Sequence, residues 1–500
     1  MLEARSGHVT YVIGLDVGSQ SIKGVLLDPL GELVATASHA LVMSHPFGGW
    51  AEQDSRDWDR GIAAVIGKLL ANAEISGSEV GLLNLACQVD GVVPISSRGD
   101  ALAPAIIWLD RRADEQAAAM AWSIGAAHLF EITGLVPDAS HSGPKIMWLR
   151  DHQPEVFANA AAFPPAAGYL LRRLTNELAI DHANASSSLL YDLRTRQWSE
   201  ELLEFSGLDV AKLGRIVEAS DVIGPLSADA ARAIGLSTSC VVLAGTGDEH
   251  AGSIGSGAIT SGIITDVTGT AEPVTVASKV LVLDYEGLVE THAHAMRDYY
   301  LVENPGFVSG GSTLWLAEKV LKIKQAELFD LAGAAPAGCD GLLFLPALSG
   351  AMTPRWNAHM RGAFAGLAMS HASSDMARAV LEGCAFALRD VTDRFLSLGL
   401  GGDEIRVVGG GAAIDLWMQI KADVTGRPVR RVLVKEATAL GAALLAGVAA
   451  QTFHDIEDAA ARTVTLAQEP CLPDPSKKSL YDDAYGRYRS LFDAVEGATT

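Results

Sequence analysis

Long apolar runs and paired cysteines are what this chain of 500 residues lacks. No apolar run reaches the roughly 18 residues that a membrane-spanning helix needs. The longest segment of small apolar residues, 439–450, is too short and too rich in alanine and glycine to serve. The five cysteines (Cys87, Cys240, Cys339, Cys384 and Cys471) are scattered, odd in number and never spaced CxxC. That spacing argues against a disulfide scaffold or a cysteine zinc site and fits a reducing cytoplasm. No secretory core is present near the amino terminus, because the apolar run 11–15 is broken at once by Asp16. Positive charge is also scarce: 38 Lys and Arg against 60 Asp and Glu leave a net charge of −22. Nonspecific binding to nucleic acid or to an anionic membrane surface is disfavoured by that balance. Several nucleotide and catalytic motifs are missing too. There is no GxxxxGK[ST] loop, no HRD and DFG pair and no GxSxG elbow. Gly409 and Gly411 are spaced GxG but are followed by Ile414, and Gly245 and Gly247 by His250, so the dinucleotide fingerprint fails twice.

What is present is the composition of a globular α/β protein, with 49% hydrophobic residues, 20% charged residues and 50 glycines. The length predicts two domains. Near mid-chain, the apolar run 241–244 meets Gly245-Thr246-Gly247 and then Asp248-Glu249. An acidic residue where a strand turns into a helix is well placed to hold a carboxylate in a cleft, and Asp248 is the candidate catalytic base. Two further apolar strands are followed by aspartates, Asp90 after 80–86 and Asp110 after 105–109. Ligands in α/β folds gather at the carboxyl ends of strands, which ties the three acidic tips together.

Residues 11–28 read as a hairpin, with strands 11–15 and 22–27 around the turn 16–21. Small residues with free N–H groups suit that turn to a phosphate chain, with Lys23 as a cation and Asp16 reaching a metal through water. Residues 263–276 repeat the pattern, with Gly269-Thr270 at the turn and Pro273 disturbing the second strand. Two copies of one hairpin predict an internally duplicated fold that clamps a nucleotide from both sides. The strand 404–408 runs into Gly409-Gly410-Gly411-Ala412 and a helix from Asp415, an arrangement that lets a nucleotide approach the backbone. Ser55 is the expected N-cap of a helix over 55–70, and Gly310-Gly311 of one near Leu314. Residues 113–240 carry no chemistry stronger than packing: His141, Asp181 and His182 read as structural, while Lys145 could reach a cleft. His292-Ala293-His294 places two imidazoles on one face of a strand, but without a carboxylate or third histidine nearby it is a weak metal signal. The charged segment after about 465 reads as peripheral.

In order along the chain, 13–19, 50–54, 87–91, 107–112, 245–252, 345–354 and 408–412 resemble the FGGY family of carbohydrate kinases, most closely its xylulokinase branch, over roughly residues 10–455. The resemblance implies a two-domain actin-like, ribonuclease-H-like α/β fold around a central cleft. An amino-terminal domain, 1–260, would bind sugar and carry the first phosphate hairpin, and a carboxy-terminal domain, 261–500, would bind ATP. It implies Asp248 as catalytic base, and Gln88, Val89, Asp90, Asp110 and Glu249 as sugar contacts. Asp16, Ser19, Gln20, Lys23, Gly269, Thr270, Gly410, Gly411 and Ala412 fall on the nucleotide side. Asp16 and Asp248 would hold Mg2+ with ATP, in the cytoplasm, and a homodimer is compatible with the family. The chain departs from the xylulokinase pattern at Val89-Asp90, where Met-His is usual, and at Glu249, where Asn is usual. An added carboxylate at each place favours hydroxyl donors, so a different ketose or a polyol stays open beside D-xylulose. A non-catalytic sensor of the same fold would need no base at Asp248, and an actin-like chaperone or filament protein would not need the acidic tips.

Overall fold

The computed structural model of the protein describes residues 10–499; residues 1–9 and 500, at the ends of the two expected domains, lie outside the described residues. Two mixed sheets with the same strand logic form its framework. The first runs in the order Val222–Pro225, Val241–Leu243, Val80–Cys87, Tyr11–Val17, Ser21–Leu27, Leu33–Ala40. Tyr11–Val17 pairs antiparallel with Ser21–Leu27, which sets Asp16 opposite Lys23, and parallel with Val80–Cys87. The second sheet runs Glu290–Ala293, Tyr300–Val308, Ala271–Ser278, Ile263–Val267, Glu404–Val408, Val429–Arg431. Ile263–Val267 pairs antiparallel with Ala271–Ser278 and parallel with Glu404–Val408, repeating the arrangement around Tyr11–Val17. The duplicated hairpin is thus part of a duplicated sheet, and the fold is the expected two-domain actin-like one.

Continuous apolar runs explain the central strands, since both of their faces are covered. Val12, Ile13, Leu15 and Val17 are all buried. Gly14 stands where the backbone of another element comes close: a Cβ there would lie 2.2 Å from the Ala439 carbonyl oxygen. The helix Ala437–Ala449 therefore lies on the first sheet, although it follows the second sheet in the chain. Asn84 Nδ2 donates to the Ala442 carbonyl across this contact, at 3.0 Å. The same helix meets Asp248–Gly255 backbone to backbone. A Cβ on Gly255 would lie 1.8 Å from the Ala437 oxygen, and one on Gly441 1.8 Å from the Ala251 oxygen.

Local departures from the sequence expectations have simple causes. Asp16 lies inside a strand, not in the turn, because its backbone pairs with Lys23. Asp54 rather than Ser55 caps the helix Ser55–Ala73, accepting from the Arg56 N–H, while Ser55 is buried in the first turn. Gly310 and Gly311 open the helix Gly310–Leu314 rather than cap it. They are small because a Cβ on Gly310 would lie 2.4 Å from the Gly269 oxygen. Pro273 breaks the pairing register between Glu272 and Val274. The carboxy-terminal segment is not peripheral: the helix Lys478–Thr499 sinks Tyr481, Ala484, Tyr488 and Phe492 into the core of the second domain.

Candidate active site

Asp248 is the first residue of the helix Asp248–Gly255, entered from the short strand Thr246–Gly247 beside Val80–Cys87. Gly245 makes the turn possible at φ 76°, and a Cβ there would lie 2.7 Å from the Leu85 oxygen. The Asp248 carboxylate accepts from the Glu249 N–H at 3.1 Å. Burial, then the charges of Glu249 and Asp16, hold its carboxyl well above the usual range. Burial also raises Asp16, to about 7, against the pull of Lys23, while Glu436 adds to the rise. Lys23 is itself paired with Glu436 at 3.1 Å. Asp16 raises Asp248, and a cation bound to both carboxylates would offset that repulsion. Asp16 and Asp248 thereby fit a divalent metal, which oxygen ligands of this kind hold.

The two hairpin turns are each tied down by hydrogen bonds. In the first, Gly18 N–H donates to the Ser21 carbonyl at 3.1 Å and Gln20 is exposed at the tip. Gln53 Nε2 donates to the Ser19 carbonyl at 2.7 Å, and Gln53 Oε1 accepts from Gln88 Nε2 at 2.7 Å. A relay of two amides thus ties the first hairpin to the strand end that leads to Asp90. In the second, Gly269 and Thr270 are exposed and strapped to the helix start by the N–H groups of Gly310 and Gly311, each 3.0 Å from its acceptor. The turn Gly410–Ala413 packs alongside, with Gly411 N–H 3.2 Å from the Thr268 oxygen. Beneath them Lys421 Nζ donates to Asp266 at 2.5 Å, to Thr268 Oγ1 at 2.5 Å and to Glu272 at 3.0 Å. All four side chains are at most 1% exposed.

On the opposite side Asp90 sits in the left-handed region, at φ 63°. One of its carboxylate oxygens accepts from the Ser187 hydroxyl and faces His141 Nδ1 at 3.4 Å. The His141 ring nitrogens also face the carbonyls of Ser187, at 2.9 Å, and Val136, at 3.1 Å. A carbonyl accepts and never donates, so both nitrogens carry protons and the ring is a cation. Burial alone would lower its pKa, but the charge and hydrogen bond of Asp90 bring it up to about 10. Asp90 is correspondingly held below the usual carboxylate range, although burial opposes this. Lys145 Nζ donates to the Asp90 carbonyl at 2.8 Å and also to the Ser140 carbonyl, and burial lowers it to about 8. Burial, then the charge of Glu303, raise the Glu249 carboxyl well above its ordinary value. Val89 packs on the residue before Asp248: a Cβ on Gly247 would lie 2.6 Å from Val89 Cγ1.

Models of the amino-terminal and carboxy-terminal domains of the FGGY family of carbohydrate kinases match residues 11–255 and 266–450. The chain belongs to that family. This carbohydrate kinase is 28% identical over 498 residues to the xylulose kinase of Staphylococcus epidermidis, covering 98% of this chain and 97% of that one. It is 30% identical over 479 residues to the glycerol kinase of Thermococcus kodakarensis, covering 94% and 95%. Among solved structures, a ligand-bound xylulose kinase from Lactobacillus acidophilus matches with a TM-score of 0.92 at 25% identity, covering 98% of this chain and 99% of that one. The reaction is therefore ATP-dependent phosphorylation of a carbohydrate.

Within this kinase Asp16, Asp248, Glu249 and Asp90 share one electrostatic neighbourhood, through Asp16 with Asp248 and Glu249 with Asp90. Asp110 stands apart. It is not a free strand tip but a fully buried brace, accepting from the Ala51 N–H at 2.5 Å and from the Arg112 N–H and guanidinium. The sequence reading missed Gln53, Ser187, Glu290 and Glu303 and treated His141 as packing. Nothing local marks them, because each acquires its meaning from a partner more than 30 positions away.

Proposed function

We propose that this kinase transfers the γ-phosphoryl group of Mg-ATP to a hydroxyl of a pentulose, with D-xylulose the first acceptor to test and Asp248 the general base. The observation that carries this reading is that Asp248 opens the helix Asp248–Gly255 within electrostatic reach of both Asp16, which we assign to the nucleotide, and Glu249, which we assign to the acceptor. Ser19, Gln20 and Lys23 of the first hairpin, Gly269 and Thr270 of the second, and Gly410, Gly411 and Ala412 would receive the nucleotide. Gln88, Val89, Asp90 and Glu249 would touch the sugar, with Asp110 holding the loop behind them. Magnesium bound at Asp16 and Asp248 would neutralise phosphate charge. Asp248 would orient the acceptor hydroxyl and take its proton, an effect of about 10²–10⁴ in rate. Closure of the two domains would keep water from competing for the phosphoryl group.

A polyol acceptor is the second reading, favoured by Asp90, whose carboxylate accepts from hydroxyls and offers nothing to a carbonyl oxygen. The setting we assign is the cytoplasm, supported by five free cysteines. The assembly to test by sedimentation is a homodimer. Sugar-stimulated ADP release, measured over a panel of pentuloses, pentitols, tetritols and hexuloses, decides the acceptor. D-Xylulose should give the highest kcat/KM under the first reading and a pentitol or tetritol under the second. ADP release that no acceptor stimulates would overturn both.

A further inference from the structure

We propose that Glu290, His292 and Glu303 form a binding site for a divalent transition-metal ion, separate from the carboxylates Asp16 and Asp248 assigned to the nucleotide metal. The three side chains lie on adjacent antiparallel strands, Glu290–Ala293 and Tyr300–Val308, with Glu290 directly opposite Glu303 and His292 two residues along from Glu290. Residues two apart on a strand share a face, so the register alone brings the three together. Like charges directly opposite one another on a sheet are destabilising, and here both carboxylates are buried, at 3% and 4% exposure. Such an arrangement calls for a cation between them.

The contact geometry points the same way. His292 Nε2 lies 2.9 Å from Glu303 Oε1, yet among the described residues neither nitrogen of the ring makes a hydrogen bond, and Glu303 Oε2 has no hydrogen-bond partner either. Two ligands bound to one metal at about 2.0–2.2 Å sit roughly 3 Å apart, each aimed at the ion rather than at its neighbour. A close but misaligned nitrogen–oxygen contact is the edge of such a polyhedron. One donor atom from each of Glu290, His292 and Glu303 lies within 4.8 Å of the other two. The cation already nearby does not fill the need: His141 Nε2 is 3.9 Å from Glu290 Oε1, but that ring is engaged by Asp90 and by two carbonyls.

Chemistry selects the kind of ion. One imidazole with two carboxylates suits Mn2+, Co2+ or Zn2+ better than Mg2+ or Ca2+, which prefer oxygen alone. The carboxylates that the bare His292-Ala293-His294 motif lacked come from its own strand and the next one. A third imidazole, His250, stacks edge-on against both His292 and His294 at 5.8 Å between ring centroids.

The test uses full-length protein stripped with chelator, free of nucleotide, and titrated with Mn2+, the free ion being read by electron paramagnetic resonance. One Mn2+ per chain is expected, retained in Asp248→Asn and weakened at least about tenfold in His292→Gln and Glu303→Gln. Crystals soaked in Mn2+ should give an anomalous peak among the three side chains, a result that needs no variant to fold. Absence of bound Mn2+, a peak elsewhere, or loss of the ion in Asp248→Asn with retention in His292→Gln overturns the assignment. None of these readouts depends on phosphoryl transfer, so they stand or fall independently of the acceptor and of the base.

Discussion

Replacing Asp248 by Asn should make the protein less active and more stable at once. The side chains are nearly isosteric, so the helix start and the glycine turn before it are undisturbed. What disappears is a carboxylate whose ionisation is opposed by burial, by Glu249 and by Asp16. Each pKa unit of that opposition is about 1.4 kcal/mol, and a kcal/mol is worth about 2 °C or more in Tm for domains of this size. The sign follows from linkage. Below pH ~3.9 the carboxyl is neutral in both folded and unfolded chains, and the variant gains nothing. As pH rises the unfolded chain ionises while the folded one resists, so wild type loses stability relative to the variant until the raised folded pKa is passed. Thermal melts of both proteins, without nucleotide and with chelator, should coincide near pH 4 and separate by a few degrees at neutral pH. Sugar phosphorylation at pH 7 should fall by about 10²–10⁴ in kcat, with ATP binding kept. Equal Tm at all pH values would refute the electrostatic reasoning, and near-normal turnover would remove Asp248 from the base role.

Two further outcomes are expected from the polar networks on either side of the base. His141→Gln should lower Tm and raise the KM for the sugar while leaving that for ATP alone. Since the folded pKa of about 10 lies above the ordinary 6.5, the stabilising charge is fully present below pH 6.5 and fades as pH rises through 10, so the Tm deficit should shrink over that range. Lys421→Met strips Asp266 and Glu272 of their buried cation, a loss of about 3–5 kcal/mol. If enough fold remains to assay, the KM for ATP should rise and that for sugar should not. A sugar-side defect would show that Lys421 does not position the second hairpin.

The parts of this molecule that were legible before folding are those whose pattern is local. Both hairpins, the glycine segment at Gly410 and the entry to Asp248 could be read from strands meeting glycines. The buried stripe Tyr481, Ala484, Tyr488 and Phe492 was equally local, at helical spacing, but the surrounding charges masked it. Asp110 misled for a different reason. Its partner Arg112 is two residues away, and only the structure shows that the guanidinium and the Ala51 N–H occupy it. The surroundings of Asp90 and Glu249 were hidden most deeply. Asp90 depends on His141, Lys145 and Ser187, and Glu249 on Glu303 in the other sheet, pairings that no periodicity in either segment announces.

The glycine contact between the helices Asp248–Gly255 and Ala437–Ala449 sets the kinematics of the enzyme. At most packed interfaces side chains lie between the backbones and can swivel to let one element slip along another. Here Gly255 and Gly441 leave backbone against backbone, with no layer in between to yield. One helix begins with Asp248; the other lies along the strand that holds Asp16 and belongs in sequence to the opposite lobe. Backbone packed directly on backbone resists sliding along this seam more than turning about it. Each closing stroke would return Asp16 and Asp248 to the same register, as a door returns to its latch because the hinge has no play.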